Sequence, residues 1–586
     1  MANYDLETLR HSTAHLMAQA ITRLYPNDNV ELGIGPVIEN GFYYDINMKT
    51  TILDEDLPKI QDMMKKLIKE KLPVERNAFA NKAEAIEYFE KRNQKLKVEL
   101  IQDMPEGEEI TYYKQGDFID LCRGPHVENT SNLSFHFKLM NTAGAYWRGD
   151  SDRQMLQRIY AVSFDSKEAL KEHLHFLEEA KKRDHRKLGK ELNLFHFETC
   201  TPGNPFFLPN GAHVYNSLIE FARKILRQYD YKEVLTPLVM DVDLWHTSGH
   251  YENYKENMYF TVVDEKEYAV KPMNCPGHML MYKHDLKSHN DLPLRYAEFG
   301  RVHRYEKSGV MAGLTRVRSF IQDDAHIFCR EDQVKEEISS LLDMYVATYR
   351  HFGFEKIRVN LSTRPEDKKI GSDEIWDLAE AALRETLEDS GLEYHIKEGD
   401  GAFYGPKIDF DIADALNRYH QLGTIQLDFM MPERFDLNYV NSSNERVRPV
   451  VIHRALLCSI ERFFGIYLEH VAGAFPFWLA PVQAKIIPVK NELHLDYANR
   501  IAEELRGNGY LVEVDSRNES LGKKTRETQK AKVPFMLVIG DKEMEENLVN
   551  VRKYGQRDQN SMTFKELTQM FTDLNDKRYP EGLAHK

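Results

Sequence analysis

The chain has 586 residues, 42% of them hydrophobic and 29% charged, an ordinary soluble composition with length for about three or four domains. Its formal net charge of −15, from 78 basic and 93 acidic side chains, excludes a protein that coats nucleic acid through bulk charge. There is no apolar run of about eighteen residues, no basic and apolar leader in MANYDLETLRHSTAHL, and only five scattered cysteines (Cys122, Cys200, Cys275, Cys329, Cys458), which argues against a membrane span, a secretory signal and a disulfide framework. The expected compartment is the cytoplasm.

In the first segment, Leu6, Leu9, Leu16 and Met17 lie at helical spacing, which puts His11 and His15 one turn apart on a single face. CRGPHV later supplies Cys122 and His126, again four apart. Such a pair of pairs suits zinc, a structural cluster or a metal-free hydrolytic site, and the residues alone leave all three open. From residue 167 to about 190, Leu170, Leu174, Leu177 and Leu188 predict an amphipathic helix. Its polar face carries Lys181, Lys182, Arg183, Arg186 and Lys187, a solvated face or a contact for phosphates.

A helix expected over Asn216 to Tyr229 precedes an apolar strand that ends near Pro237. Cys275 then sits between Asn274 and Pro276-Gly277, a turn setting that suits a ligand better than a core position. The stretch Arg295 to Cys329 gathers Arg301, Arg304, Arg316 and Arg318, the acids Glu298 and Glu306, a glycine-marked loop, and then Phe320, Gln322, Asp323, Asp324 and His326. Guanidinium forks beside an aromatic suit a nucleotide, and a solvated charged hairpin is the alternative. No GxxxxGK[ST] loop and no GxGxxG offers a competing nucleotide site. After FPFWLAPVQ, strand and helix patterns alternate, which predicts a small α/β domain with a largely parallel core.

The order FGRVHRYE, loop, RVRSFIQDDAHIF resembles motif 2 of the class II aminoacyl-tRNA synthetases, and QDDAHIF is similar to the threonyl-type members. The likeness runs through almost the whole chain. It implies an α/β and α+β multidomain protein: an α+β editing domain at 1–166, a linker helix at 167–189, an antiparallel class II catalytic core at 190–477 and an α/β anticodon-binding domain at 478–586. The implied activity is ATP-dependent activation of L-threonine to its adenylate, transfer to the 3′ end of tRNA(Thr), and hydrolysis of mis-acylated seryl-tRNA(Thr). Pro237 resembles the motif 1 proline, which implies a homodimer. Bacterial members commonly carry a further small domain ahead of the point where this sequence opens, and the expected type is one lacking it.

Residue by residue, the resemblance places Arg304 on the α-phosphate of ATP, Glu306 on the adenine amino group, Phe320 against the adenine ring, and Arg316 with Arg462 of the motif 3 segment at the γ-phosphate. Arg304, Arg462 and Lys407 are the implied catalytic residues, and magnesium accompanies the ATP. Cys275, His326 and His453 imply one zinc per subunit with a coordination position left open; Asp324, Gln322, Tyr404, Gln421 and Gln426 approach the threonine or its adenylate. HSTAH, DLCRGPH and HFKLMNTAGAYWRGD are similar to the editing domain of threonyl- and alanyl-type enzymes, with His11, His15, Lys97, Asp120, Cys122 and His126 as a zinc-free site. Thr13 stands where that family commonly has cysteine. Asn518, Lys532, Glu543 and Arg552 are the implied anticodon readers, with Lys532 where many relatives have arginine.

One physical argument joins the two ends of the chain. A site that must engage a hydroxyl rejects valine by roughly 10⁴-fold or more, because valine leaves buried polar groups unpaired. Serine keeps the hydroxyl and lacks one methyl, so it is rejected only about 10- to 200-fold, and a separate hydrolytic site becomes necessary. Two rivals remain at this stage: a metallohydrolase fused to an inactive synthetase-like body, and a prolyl or seryl enzyme. The intact Arg304, Arg316 and Arg462 count against the first, and the Cys275, His326 and His453 set against the second.

Overall fold

The computed structural model describes residues 4–366 and 369–580 and divides into two compact units, Met1–Glu178 and Glu179–Lys586. Among the described residues no helix is long and apolar enough to cross a membrane.

The first unit is built on the helix Leu6–Leu24, whose N-cap Asp5 accepts the Thr8 N–H at 2.6 Å. Leu16, Met17 and Ile21 pack on Ile60, Met64 and Leu67 of the helix Leu57–Glu70 and on Phe42, Tyr44 and Ile46 of the strand Gly41–Asn47. The helix is buried on more than its apolar stripe, since Ser12, His15 and Gln19 also lie inside, and buried polar groups of this kind require partners. Gly41–Asn47 belongs to a five-stranded sheet with Met155–Ser163 and Phe137–Tyr146. A second, three-stranded sheet pairs Val74–Ala78, Thr111–Gln115 and Phe118–Leu121, and it delivers Asp120 and, just beyond its end, Cys122.

The expected helix from 167 to about 190 is two helices, Lys167–Arg183 and His185–Glu191. Asp184 ends the first by leaving helical geometry and capping the second, its carboxylate accepting the Arg186 N–H at 2.8 Å. The next helix runs over Pro209–Gln228 and so begins before Asn216; Pro209 occupies its first turn, where a missing N–H costs nothing. The apolar strand expected ahead of Pro237 makes ladder pairs only at Lys232 and Glu233, parallel to Tyr296 and Ala297.

An eight-stranded sheet organises the second unit, in the order Lys232–Glu233, Leu294–His303, Ser319–Cys329, Val450–Ser459, Tyr419–Asp428, Lys407–Ala413, Ile357–Ser362, Tyr394–Lys397. Pairing is antiparallel through the six central strands and parallel at the two edges. Period-two alternation sorts each strand. Ala325, Ile327, Ile452, Ile425, Ile408 and Phe410 join one core with residues of the helices Pro209–Gln228, Val334–His351, Asp373–Ser390 and Ile460–His470. On that core face the buried Arg454 donates to Asp323 at 2.6 Å, and Asp323 also accepts the Leu457 N–H at 3.0 Å.

The C-terminal sheet has five strands in the order Val512–Val514, Ala484–Pro488, Phe535–Ile539, Leu548–Lys553, Gln559–Thr563. The first three are parallel and the last two form an antiparallel hairpin, which corrects the largely parallel core read from the sequence. A short turn between Lys553 and Gln559 leaves no room for the helical crossover that a parallel return needs.

Candidate active sites

Register across the large sheet assembles the main site. Tyr296 pairs with His326, His326 with His453, His453 with Gln426, and Gln426 with Lys407, a single row across five strands. Residues along one strand at intervals of two share its face, so His326 and Asp324 point to the same side as His453 while Asp323, Ala325 and Ile327 turn to the core. A bulge between Gln322 and Asp324 re-aims the strand just before them. Cys275 reaches this face from the first turn of the helix Cys275–Lys283.

The thiol of Cys275 and the ring nitrogens of His326 and His453 come within 4.8 Å of one another, all three residues buried. Neighbouring hydrogen bonds decide which nitrogens are available. His453 Nε2 donates to Asp428 Oδ2 at 2.7 Å, which leaves Nδ1 with its lone pair. His278 Nε2 donates to Glu298 Oε2 at 3.1 Å, and with the ring hydrogen on that nitrogen Nδ1 accepts; His326 Nδ1, 2.7 Å away, donates to it and keeps a lone pair on Nε2. Glu298 is in turn gripped by Lys271 at 2.8 Å and by the Thr236 N–H at 3.0 Å. Burial would raise the Glu298 carboxyl, yet hydrogen bonds from His278, Lys271 and Thr236 outweigh it and bring its pKa down to about 2.

One thiol and two imidazoles whose outer nitrogens are fixed, His453 by Asp428 and His326 by His278, fit a divalent, zinc-like ion with three protein ligands. Burial drives His326 far below the ordinary histidine range, and His453 and His278 add to it, so the ring is neutral and free to ligate. Asp324 lies beside the cluster, held by the Asn274 side-chain N–H at 3.1 Å, and its pKa is raised by burial. Tyr404 sits with its ring 5.2 Å from that of His453, Gln426 Nε2 donates to the Gly405 carbonyl at 3.0 Å, and the buried Gln322 side-chain oxygen has no protein partner.

The hairpin Leu294–His303 and Ser319–Cys329 carries the arginine-rich end. Arg304 lies with its guanidinium 5.1 Å from the Phe320 ring and donates to the Pro272 carbonyl at 3.2 Å. Arg316 pairs with Glu306 at 2.9 Å. Arg462 donates to the carbonyls of Thr315 and Gln421, each at 3.0 Å. Lys407 pairs with Asp409 at 2.8 Å, and Asp409 also takes the Gln421 amide at 2.7 Å.

A second cluster forms in the first unit. Donor atoms of His11, His15, Cys122 and His126 lie within 4.8 Å of one another. Cys122 Sγ is 3.3 Å from His11 Nε2 and 3.2 Å from His126 Nε2, while His126 Nδ1 meets Ser12 Oγ at 3.0 Å. Lys97 and Asp120 pair at 2.6 Å, both fully buried, and His15 Nε2 is 3.5 Å from the same acid. All six expected residues therefore meet. Burial lowers the pKa of all three histidines, and mutual repulsion lowers His15 and His126 further, so the rings are neutral. Burial likewise raises Cys122 to about 11, which keeps it a thiol at neutral pH. Cys122 also lines an open cleft with Leu100, Asp103, Arg123 and Arg148.

Several participants escaped the sequence reading. Tyr44 hydrogen-bonds Asp120 from a different sheet, and His278 and Asp428 stand behind His326 and His453, as does Glu298, which the sequence groups with the arginine stretch and not with this cluster. His278 stands one helical turn after Cys275, the single hint of that place. His250, fully buried, places Nε2 3.8 Å from Cys275 Sγ.

In the C-terminal domain Asn518 lies in the loop before the helix Leu521–Lys530, Glu543 accepts the Gly540 N–H at 3.0 Å, and Arg552 donates to the Gln556 carbonyl at 3.1 Å. Lys532 is half-buried, its ammonium bound to the Ala472 carbonyl just past the helix Ile460–His470, and burial lowers its pKa.

A six-strand antiparallel core with an arginine hairpin and a strand-helix arginine is the catalytic scaffold of a class II aminoacyl-tRNA synthetase. Family models agree: tRNA synthetase class II core domain (G, H, P, S and T) over residues 259–471, anticodon binding domain over 483–574, and threonyl and alanyl tRNA synthetase second additional domain over 110–160. The chain is 53% identical to threonine-tRNA ligase 2 of Bacillus subtilis over 96% of its own length and 87% of that protein, and 52% identical to threonine-tRNA ligase of Carboxydothermus hydrogenoformans over 98% and 89%. Among solved structures it resembles a putative threonyl-tRNA synthetase from Aeropyrum pernix, with a TM-score of 0.62 and 34% identity over 69% of this chain and 97% of that one. The chain belongs to the threonine-tRNA ligase family.

Proposed function

We propose that the chain activates L-threonine with ATP, transfers it to the 3′ end of tRNA(Thr), and hydrolyses seryl-tRNA(Thr) made in error. The carrying observation is the meeting of Cys275, His326 and His453 on the face that also holds Asp324. Those three residues would hold one zinc per subunit, which when bound supplies affinity for the amine and the alcohol of threonine. Asp324 accepts the hydroxyl proton in a hydrogen bond, and its burial makes an amino acid without that hydroxyl costly. Gln322, Tyr404 and Gln426 line the same side of the sheet and orient the substrate.

For ATP, Arg304 engages the α-phosphate, Glu306 the adenine amino group and Phe320 the ring; Arg316 and Arg462 take the γ-phosphate end. Arg316 and Arg462 are engaged by protein acceptors here, so nucleotide would exchange those contacts for phosphate oxygens. Lys407, at the edge of the row, adds positive charge near the carboxylate under activation. Magnesium neutralises the triphosphate.

In the first unit His11 and Asp120 move protons for an attacking water, Lys97 stabilises the developing oxyanion, and His15, Cys122 and His126 pack and orient the pocket. We assign editing to 1–166, the linker to 167–189, catalysis to 190–477 and anticodon recognition, through Asn518, Glu543 and Arg552, to 478–586; Lys532 touches the catalytic domain. A cytoplasmic homodimer follows from the family. Metal analysis beside amino-acid-dependent pyrophosphate exchange tests the reading: about one zinc per chain, strong exchange with threonine, exchange with serine lower by about 10- to 200-fold, and valine lower by about 10⁴-fold. Valine exchange comparable to serine would refute it.

A further inference from the structure

His185 opens the short helix His185–Glu191 and is nearly inaccessible to solvent. Its ring is used at both nitrogens. The Leu314 backbone N–H donates to Nε2 at 2.9 Å, so that atom carries a lone pair; Nδ1 therefore holds the hydrogen and donates to Glu469 Oε1 at 2.6 Å. The His185 backbone N–H adds a second bond to the same carboxylate oxygen at 2.9 Å, and Arg418 holds the other oxygen at 2.6 Å.

The slot around the ring is shaped by two glycines. A Cβ on Gly313 would stand 2.1 Å from Nε2, and Gly313 has a φ of +54°, so the turn tolerates no side chain there. A Cβ on Gly465, in the helix Ile460–His470, would stand 3.1 Å from Leu314 Cβ and 3.7 Å from His185 Cδ2. Asp184, His185 and Glu469 together have the composition of a metal site. Their partners exclude that use, since Arg186 occupies the Asp184 carboxylate, Arg418 the Glu469 carboxylate, and both ring nitrogens are bonded.

The turn Gly313–Thr315 is thus held from two sides: His185 takes the Leu314 N–H, and Arg462 takes the Thr315 carbonyl. Arg316 follows immediately. We infer that His185 is a positioning residue for nucleotide binding, fixing the turn that delivers Arg316 to ATP and that gives Arg462 its backbone partner. The inference rests on the assignment of Arg316 and Arg462 to the triphosphate. The ring acts through its Nε2 lone pair, with Glu469 fixing the tautomer.

The experiment measures the dissociation constant of MgATP by calorimetry on the full chain and on His185→Ala, His185→Asn and His185→Gln. A glutamine amide oxygen reaches the position of Nε2 and can accept from Leu314; an asparagine reaches only the position of Nδ1. Loss of the one positioning hydrogen bond weakens MgATP by about tenfold in the alanine and asparagine variants. Glutamine should stay within about threefold of wild type, and the KM for threonine in exchange should change less than about twofold throughout. Equal MgATP affinity in all four proteins overturns the inference, as does equal weakening by asparagine and glutamine, which denotes a merely structural ring. Should wild type bind MgATP yet catalyse no threonine-dependent exchange, the functional reading fails while the comparison of binding constants still judges the clamp.

Discussion

At the level of single residues, the tautomers of His326 and His453 are each fixed from behind by a chain that ends on an acid, and the two routes differ in length. Asp428 touches His453 directly, whereas Glu298 reaches His326 through His278. Asp428 also accepts the N–H groups of Met430 and Met431, at 2.7 and 3.0 Å, through its other oxygen. In Asp428→Asn, the amide oxygen is retained by those two donors and the NH₂ faces His453 Nε2. Two donors then oppose each other, the imidazole shifts its hydrogen to Nδ1, and the lone pair aimed at the ion is lost. Metal affinity should fall about 10- to 100-fold, read by competition with a chromogenic chelator. Retention equal to wild type would show that Asp428 does not set the tautomer. Neither acid was visible in the sequence as a partner, because a contact behind a ligand needs only proximity in three dimensions.

The strand alternation inside the arginine hairpin was the most legible element. In FIQDDAHIF the polar positions Gln322, Asp324 and His326 alternate with Ile321, Ala325 and Ile327, and the structure sends the second set into the helical core. Asp323 breaks that alternation: it is an acid on the core face, matched there by Arg454 from the motif 3 strand. Both side chains are fully buried, so truncating one partner leaves an uncompensated charge in low dielectric. Arg454→Leu should destabilise the chain by about 3–5 kcal/mol in denaturant unfolding, and Asp323→Leu combined with it should recover part of that loss. Additive losses in the double variant would deny the pairing. Helix limits were less legible: Asp184 lies in the leucine-free stretch between Leu177 and Leu188, which a single helix was expected to span, and the capping geometry there separates Lys167–Arg183 from His185–Glu191. The C-terminal hairpin escaped the reading because an alternating strand and helix pattern implies parallel crossovers, whereas Leu548–Lys553 and Gln559–Thr563 are joined by a short turn that permits only antiparallel pairing.

For the whole molecule, the central question is why one chain carries two His/Cys clusters, one buried and one partly buried, that share so little chemistry. The cluster of Cys275, His326 and His453 has acids behind its rings and faces Asp324. His11, His15, Cys122 and His126 instead surround a buried Lys97–Asp120 pair, with rings that burial keeps neutral and a thiol that burial keeps protonated. The first arrangement suits a cation, and the second already contains one in the lysine ammonium. A site that reads the threonine hydroxyl must pass some serine, so on the proposed function the two clusters would answer successive halves of one discrimination. Variants should separate them cleanly. Cys275→Ala should abolish threonine-dependent pyrophosphate exchange and leave hydrolysis of preformed seryl-tRNA(Thr) within about twofold of wild type. Lys97→Met should do the reverse, keeping exchange while slowing seryl-tRNA(Thr) hydrolysis by about 10²- to 10³-fold, the range for removing one oxyanion-stabilising group. Because Lys97→Met leaves Asp120 buried without its cation, His11→Ala serves as the companion variant, and far-UV circular dichroism checks that both stay folded. Hydrolysis unaffected by both changes would detach the first unit from editing, whatever the second unit does with threonine.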